Sequence, residues 1–185
     1  MDGIQLMVDE HKNIKRMLVV LRKASYRVLK EDKIDYDDFA KMIDFVRNYA
    51  DKQHHGKEEK FLFNRMVDEI GGVAETLIKY GMLVEHDFGR LHMMELENAL
   101  SRVKNGDDES KVDVIANAVA YTQLLYRHIE KEDNTVYTFA NRKLSKETLT
   151  TIDKECEEFE KESSKNNIQE KYMKLLEQLE AKYLQ

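Results

Sequence analysis

Four histidines of the chain have a spacing that suits metal binding. They lie on the apolar stripes of four different amphipathic segments, at His11, His54, His86 and His128. Two of them are followed one helical turn later by a glutamate, in the pairs His54/Glu58 and His128/Glu132. Because residues i and i+4 share a helix face, each pair directs an imidazole and a carboxylate into the same volume. This mixture of ligands suits iron, manganese or zinc.

The intervals between the histidines predict that all four lie at one depth of an antiparallel bundle. Two residues at one depth are equally far from the turn that joins their helices, and the three midpoints fall at residues 32–33, Ile70 and Asp107. The second midpoint adjoins Gly71-Gly72, and the third lies in the strongest loop signal of the chain, residues 105–109. Buried imidazoles and carboxylates at one level need partners, which a pair of divalent cations would supply.

The composition predicts an all-α fold that positions these residues. The chain has 185 residues and no proline, and only 7 residues are glycine. Helices are predicted at residues 3–30, 35–69, 73–104, 110–141, 145–162 and 168–184. We expect an up-down-up-down antiparallel four-helix bundle at residues 1–142. Residues 143–185 are expected to form a C-terminal helical extension that packs on the bundle, or against a second subunit in a homodimer.

The helical phase selects which donors face the core. At 100° per residue, the apolar residues of the second helix lie within about 80° of His54, and Glu58 lies about 40° away. The neighbours His55 and Glu59 fall at about 100° and 140°, so they are assigned to the flank and alanine there is expected to leave metal binding nearly intact. His92 is rotated about 120° from the stripe of its helix and is expected at the surface or between helices.

Several classes of function are disfavoured. A net charge of -6 leaves no basic face for nucleic acid. No run of about 18 apolar residues could span a membrane, and Met1 leads into a polar amphipathic stretch, so a cytoplasmic protein without a signal peptide is expected. Cys156 lies among glutamates, which argues against a redox role. The Glu-x-x-His motif of ferritin-like di-iron sites is absent from the sequence.

Three segments resemble the hemerythrin-like HHE cation-binding family, and the resemblance covers about residues 1–142. The segments are HHGKEEKFLF at 54–63, EHD at 85–87 and HIEKED at 128–133. The resemblance implies a four-helix bundle around a non-haem di-iron centre, in which carboxylates and an oxo or hydroxo group bridge two iron ions. It implies terminal ligands at His11, His54, His86 and His128, and bridging ligands at Glu58 and Glu132.

The sequence departs from the oxygen-carrying hemerythrins at two places. Those proteins have a fifth histidine four residues after the position of His86, where this chain has Arg90. Their fourth helix also uses His-x-x-x-x-Asp, so Asp133 remains an alternative to Glu132 as a bridge, although Glu132 lies nearer the core stripe. The set of four histidines and two glutamates resembles the iron-sulfur-cluster repair di-iron proteins. The cysteine-bearing N-terminal domain of those proteins has no counterpart in this sequence.

The leading hypothesis is a di-iron protein that binds or reacts with a small diatomic gas or peroxide, such as O2, nitric oxide or hydrogen peroxide. With two imidazoles on each iron, both irons would keep an open position, and whether the protein is an enzyme stays open. The alternative is an iron donor or iron-responsive adaptor, including a role in iron-sulfur cluster repair. Tyr121, two turns before His128, either packs in the core or lines a gas pocket.

Overall fold

Six helices, numbered α1 to α6 in chain order, make up most of the chain. The computed structural model describes residues 1–184. The bounds are α1 Gly3–Glu31, α2 36–70, α3 72–104, α4 111–143, α5 Lys146–Lys165 and α6 Ile168–Tyr183. The described residues contain no strand, so the all-α prediction is confirmed. None of the helices within residues 1–184 has the length and apolar character needed to cross a membrane.

Short connections between the first four helices produce the up-down-up-down arrangement. Asp35 begins α2 by accepting a hydrogen bond from the backbone N–H of Asp38 at 3.1 Å. Gly71 and Gly72 join α2 to α3 with φ angles of 64° and 40°, in the left-handed region that favours glycine. Gly106, at φ 100°, lies in the turn between α3 and α4. All three connections occur where the sequence predicts them.

The buried apolar residues form two clusters, one on each side of a polar layer. The first cluster includes Met17, Leu21, Phe45, Leu96 and Ala118. The second includes Met7, Phe63, Met66, Ile78 and Tyr137. Along each of the four bundle helices, the polar layer lies between the residues of the two clusters. This layer contains the predicted metal ligands, so apolar side chains separate it from both ends of the bundle.

The two C-terminal helices bury their apolar faces against the bundle of their own chain. Helix α6 adds to the first cluster the side chains of Tyr172, Leu176, Leu179 and Tyr183. Helix α5 adds Ile152 and Cys156 to the second cluster. The approach of α5 to α1 is close, because a Cβ atom on Gly3 would lie 2.9 Å from the Cys156 sulfur. Burial raises the pKa of the Cys156 thiol to about 12, which disfavours a reactive thiolate.

The packing of α6 predicts that it stabilises the bundle. Leu176 is fully buried, so Leu176→Ala is expected to lower the free energy of unfolding by about 2–5 kcal/mol. Leu184→Ala is the matched control, because Leu184 is 43% exposed and its loss is expected to change stability by less than about 0.5 kcal/mol. Urea unfolding followed by circular dichroism measures both. Equal small effects would mean that α6 does not pack on the bundle in solution.

Candidate metal centre

Seven buried side chains of the polar layer have donor atoms close enough together to hold metal ions. They form two groups, and within each group the donor atoms lie within 4.8 Å of one another. The three-imidazole group is His55, His86 and His128, and the two-imidazole group is His11, His54, Glu58 and Glu132. No member is more than 4% exposed. The layer therefore brings together all six predicted donors and adds His55.

The two glutamates connect the groups. Glu132 Oε2 lies 3.3 Å from His11 Nε2, and its Oε1 lies 3.1 Å from His128 Nε2. Glu58 Oε2 lies 3.6 Å from the Nε2 atoms of both His54 and His86. Each carboxylate thus contacts at least one imidazole of each group. Both have the placement that a carboxylate bridging two metal ions requires.

His55 faces the centre because α2 is π-helical around it. The π-helical stretches of α2 are Val46–His55 and Glu58–Phe63. A π-helix closes its hydrogen bonds at i→i+5, so each residue advances by less than the 100° of an α-helix. Consequently His54 and His55 are both buried, and the His55 ring stacks on His86 at 3.8 Å. The prediction that His55 lies on the flank of α2 is wrong, because it used the α-helical angle.

Each of the five imidazoles has a carboxylate within hydrogen-bonding distance of its Nδ1 atom. We call the five acidic residues that supply these carboxylates the outer carboxylates. The pairs are His11 with Asp133 (2.7 Å), His54 with Glu10 (2.9 Å), His55 with Asp51 (3.4 Å), His86 with Glu59 (2.7 Å) and His128 with Glu85 (2.9 Å). An Nδ1–H that donates to a carboxylate fixes the tautomer and the ring orientation. The Nε2 atom of every ring is then left as the ligand atom on the inner side.

The inner atoms of the centre have no satisfactory protein partners. Buried atoms without a hydrogen-bond partner include His11 Nε2, His54 Nε2, Glu58 Oε2 and both carboxylate oxygens of Glu132. In addition, the Nε2 atoms of His86 and His128 face each other at 3.0 Å. Burial lowers the pKa of His128, but Glu132 and Glu85 raise it to about 9, so a proton rather than a protein partner occupies the inner side of this ring, and orphaned buried carboxylate oxygens are costly. Metal cations would satisfy all of these atoms, so the residues present fit a metal.

Comparison with known families agrees with a cation-binding centre. The family model described as hemerythrin HHE cation binding domain matches residues 2–140. The chain belongs to this family. No curated protein matches the chain. The match ends within α4, so the helices α5 and α6 lie outside the matched residues.

Asp133 and Glu59, which directly follow the donors Glu132 and Glu58 of the HHE domain, lie outside the donor groups. Asp133, the alternative bridge, has its Oδ1 on the outer nitrogen of His11, whereas the preceding Glu132 contacts the inner nitrogens. Glu59 likewise lies at the outer nitrogen of His86. Both side chains are partly exposed, as an outer position allows.

Four cations lie behind the outer carboxylates of this HHE domain. Lys15 Nζ is 3.2 Å from Asp133, and Lys57 and Lys131 form ion pairs with Glu10 and Glu85. Arg90 contacts two outer carboxylates, with its Nη2 atom 2.7 Å from Asp51 and 2.6 Å from Glu59. Arg90 therefore supports both His55 and His86 from outside. It lies at the position where the oxygen-carrying hemerythrins have a ligand histidine.

The sequence does contain a signal for most of the outer carboxylates. Glu10, Glu59, Glu85 and Asp133 are each adjacent in sequence to a ligand. Each supports a histidine on a different helix from its own, so the pairing depends on the assembled bundle. Asp51 is the exception, since it lies one turn before His55 on α2.

Electrostatics keep the centre poised to bind cations. Burial lowers the pKa of His54 well below its usual value and that of His55 to about 3, so both rings are neutral at pH 7. Burial, reinforced by the charge of Glu132, raises the pKa of Glu58 well above its ordinary value. Burial would raise the pKa of Glu132 too, but His128 and the other imidazoles hold it well below the usual range. Metal binding would therefore release protons from this layer.

Proposed function

We propose that the protein is a non-haem di-iron protein that binds or reacts with a small oxidant at one of its two irons. The observation that carries the proposal is the unequal division of imidazoles between two groups that share two carboxylates. Nitrogen and carboxylate donors of this kind suit iron. When bound, iron supplies reversible one-electron redox chemistry and affinity for O2, nitric oxide and peroxide.

The donor count favours an open position on one side. Three imidazoles and one oxygen from each carboxylate would offer five donors to one ion, while two imidazoles and the same carboxylates would offer four to the other. An ion on the His11/His54 side would thus have more room for an external ligand. This proposal differs from the expectation of equal open positions on both irons, which counted four histidines.

Tyr137 is the residue of this chain best placed to act on a ligand at that side. Its ring is stacked on His11 with 5.7 Å between ring centroids, and its hydroxyl donates a hydrogen bond to Glu58 Oε1 at 2.5 Å. Burial raises the pKa of Tyr137 well above its ordinary value, so the phenol keeps its proton. It can orient Glu58 and offer a hydroxyl on the His11/His54 side of the centre. Met7 and Phe63 of the second cluster limit access of water from that end.

Burial of the donors favours retained metal over iron donation. An iron donor must expose its ion to an acceptor, yet every donor side chain here is at most 4% exposed. Release would require separation of the bundle helices. We therefore place the donor or adaptor role second, and the rate of iron loss to a chelator distinguishes the two roles.

The test is metal analysis combined with an optical spectrum. We expect about two iron ions per chain, and a spectrum of the anaerobically reduced protein that changes within seconds to minutes of exposure to air or nitric oxide. A chelator should remove iron slowly, with loss of folded structure. One iron per chain, or an unchanged spectrum together with rapid chelation that leaves the fold intact, would reject the proposal. The latter result would support iron donation.

A further inference from the structure

One of the five outer carboxylates, Glu10, is buried, whereas the other four reach solvent. The Glu10 side chain is 4% exposed, and those of the other four are 20–30% exposed. The cation behind Glu10, Lys57, is fully buried, while the cations behind the others are 40–50% exposed. Water therefore screens the charges behind four of the imidazoles but hardly those behind His54.

Lys57 connects this outer carboxylate to the C-terminal extension. Its Nζ atom donates to Glu10 and, at 2.5 Å, to Oε1 of Glu160 on α5. Glu10 uses its other oxygen, Oε2, to accept the Nδ1–H of His54 at 2.9 Å. A continuous chain of charged contacts thus runs from α5 to the outer nitrogen of a predicted metal ligand.

Glu160 is held at the far end of this chain by two amides. Gln53 of α2 donates to its Oε1 at 2.7 Å, and Gln169 of α6 donates to its Oε2 at 3.2 Å. The Glu160 side chain is 12% exposed, so its charge is also largely shielded from water. It lies outside residues 2–140, which match the HHE family model.

Attachment of α5 to the bundle does not explain these charges. Ile152 and Cys156 of α5 already lie in the second apolar cluster, and Glu155 forms an ion pair with Arg65 of α2 at 2.9 Å. Burial of ion pairs is costly, and well-packed apolar side chains of similar volume often stabilise a protein as well or better. Buried charges directly behind a ligand therefore point to a role at the metal centre.

We propose that Glu160 is a positioning residue that acts on the ligand His54 through the two groups between them. Because Glu160 shares the charge of Lys57, Glu10 remains a stronger acceptor for the Nδ1–H of His54. A stronger outer acceptor makes an imidazole a more basic metal ligand. The net negative charge of the three groups also favours iron(III) over iron(II) on the His11/His54 side. The effect on iron rests on the proposed function, whereas the effect on the hydrogen bond of His54 does not.

Glu160→Gln tests the proposal, because glutamine keeps the size of the side chain and its hydrogen-bonding oxygen but removes the charge. In the zinc-loaded protein, which is diamagnetic, NMR of isotope-labelled histidine detects the Nδ1–H of His54. We expect its proton signal to move upfield, since Lys57 then competes more strongly with His54 for the charge of Glu10. Burial raises the pKa of Glu10 to about 7, so measurement at about pH 8 keeps this carboxylate ionised.

The iron-loaded protein provides two further measurements. Glu160→Gln is expected to lower the affinity for iron(II) about three- to tenfold, which is less than the 10–100-fold effect of removing a direct partner of a ligand. It should lower the preference for iron(III) over iron(II) about tenfold, which raises the reduction potential by about 59 mV for one electron. Chelator competition and potentiometric titration measure the two changes.

Two further variants separate the charge of Glu160 from its packing. Glu160→Asp keeps the charge and should stay close to the native protein in all three measurements. Glu155→Gln is the matched control on the same helix, because the partner of Glu155, Arg65, contacts no outer carboxylate, and it should change none of them.

Three results would overturn the proposal. They are an unmoved His54 signal in Glu160→Gln, the same result for Glu160→Asp and Glu160→Gln, and an equally large change in Glu155→Gln. The second result would mean that Glu160 serves only to pack α5. A failed di-iron assignment would appear in the metal analysis, and the His54 signal of the zinc-loaded protein would still decide the role of Glu160.

Discussion

Replacing His55 with alanine is expected to lower the metal content of the iron-loaded protein from about two ions per chain to about one. The substitution removes one of three imidazoles in its group. It also leaves His86 without the ring stacked on it at 3.8 Å. Loss of an outer partner of a ligand typically weakens metal binding 10–100-fold, so loss of the ligand itself should weaken it by more than about 100-fold. Elemental analysis after gel filtration in a weak chelator measures the change.

His92→Ala is the matched control for this experiment. His92 is the one histidine outside both donor groups, and its Nδ1 atom lies 3.2 Å from the Asn117 side chain. We expect it to retain both ions. Full loading of the His55→Ala protein would show that four histidines suffice.

The sequence alone predicts four of the five histidines in the donor groups and assigns His55 to the flank of its helix. An apolar stripe at α-helical spacing identifies His11, His54, His86 and His128, because the apolar residues in the adjacent turns repeat at nearly α-helical intervals. The same rule assigns His55 to the flank, since it adds 100° for one residue. A π-helical turn changes that angle, and single-residue periodicity contains no signal for it. The adjacent pair His54-His55 is the only hint in the sequence.

The bundle itself is predictable for a simple reason. Helix length, turn signals and the equal spacing of the histidines all constrain it, and each connection contains a residue that stops a helix, such as Gly71 or Gly106. The outer carboxylates are less predictable. Glu10 is next to His11 in sequence but supports His54, because adjacent residues of a helix point in different directions. Only the assembled bundle shows which helix each acidic side chain meets.

Arg90 departs from the family pattern, and this departure alone does not correctly predict how many imidazoles the centre contains. The absence of a histidine at position 90 predicts a centre with four imidazoles. In the structure the fifth imidazole comes from α2 instead, as His55, and Arg90 holds the carboxylates behind His55 and His86. The two donor groups thus contain five histidines, although the helix that supplies the fifth differs. A centre of this kind resembles the oxygen carriers in its number of imidazoles and the repair proteins in its two glutamates.

Removal of the metal is expected to lower the melting temperature by about 10–15 °C. A ligand present at about 1,000 times its dissociation constant stabilises the folded state by about 4 kcal/mol. For a chain of this length, each kcal/mol corresponds to about 2–4 °C. The structural cause is the set of buried Nε2 and carboxylate atoms that have no protein partner, which the cations satisfy. Thermal melts of apo and iron-loaded protein measure the gap.

Two isosteric substitutions then distinguish the role of the inner carboxylate, Glu132, from that of the outer carboxylate, Asp133. Glu132→Gln should reduce the difference in melting temperature between apo and loaded protein by more than about half. The reason is that it removes an anion that contacts both imidazole groups. Asp133→Asn should change the gap by only about 2–4 °C, since an asparagine oxygen can still accept the hydrogen bond from His11 Nδ1. A larger effect at Asp133 would make that residue the bridge. Because both variants keep the size of the side chain, the comparison isolates the charge, and the inner charge should dominate.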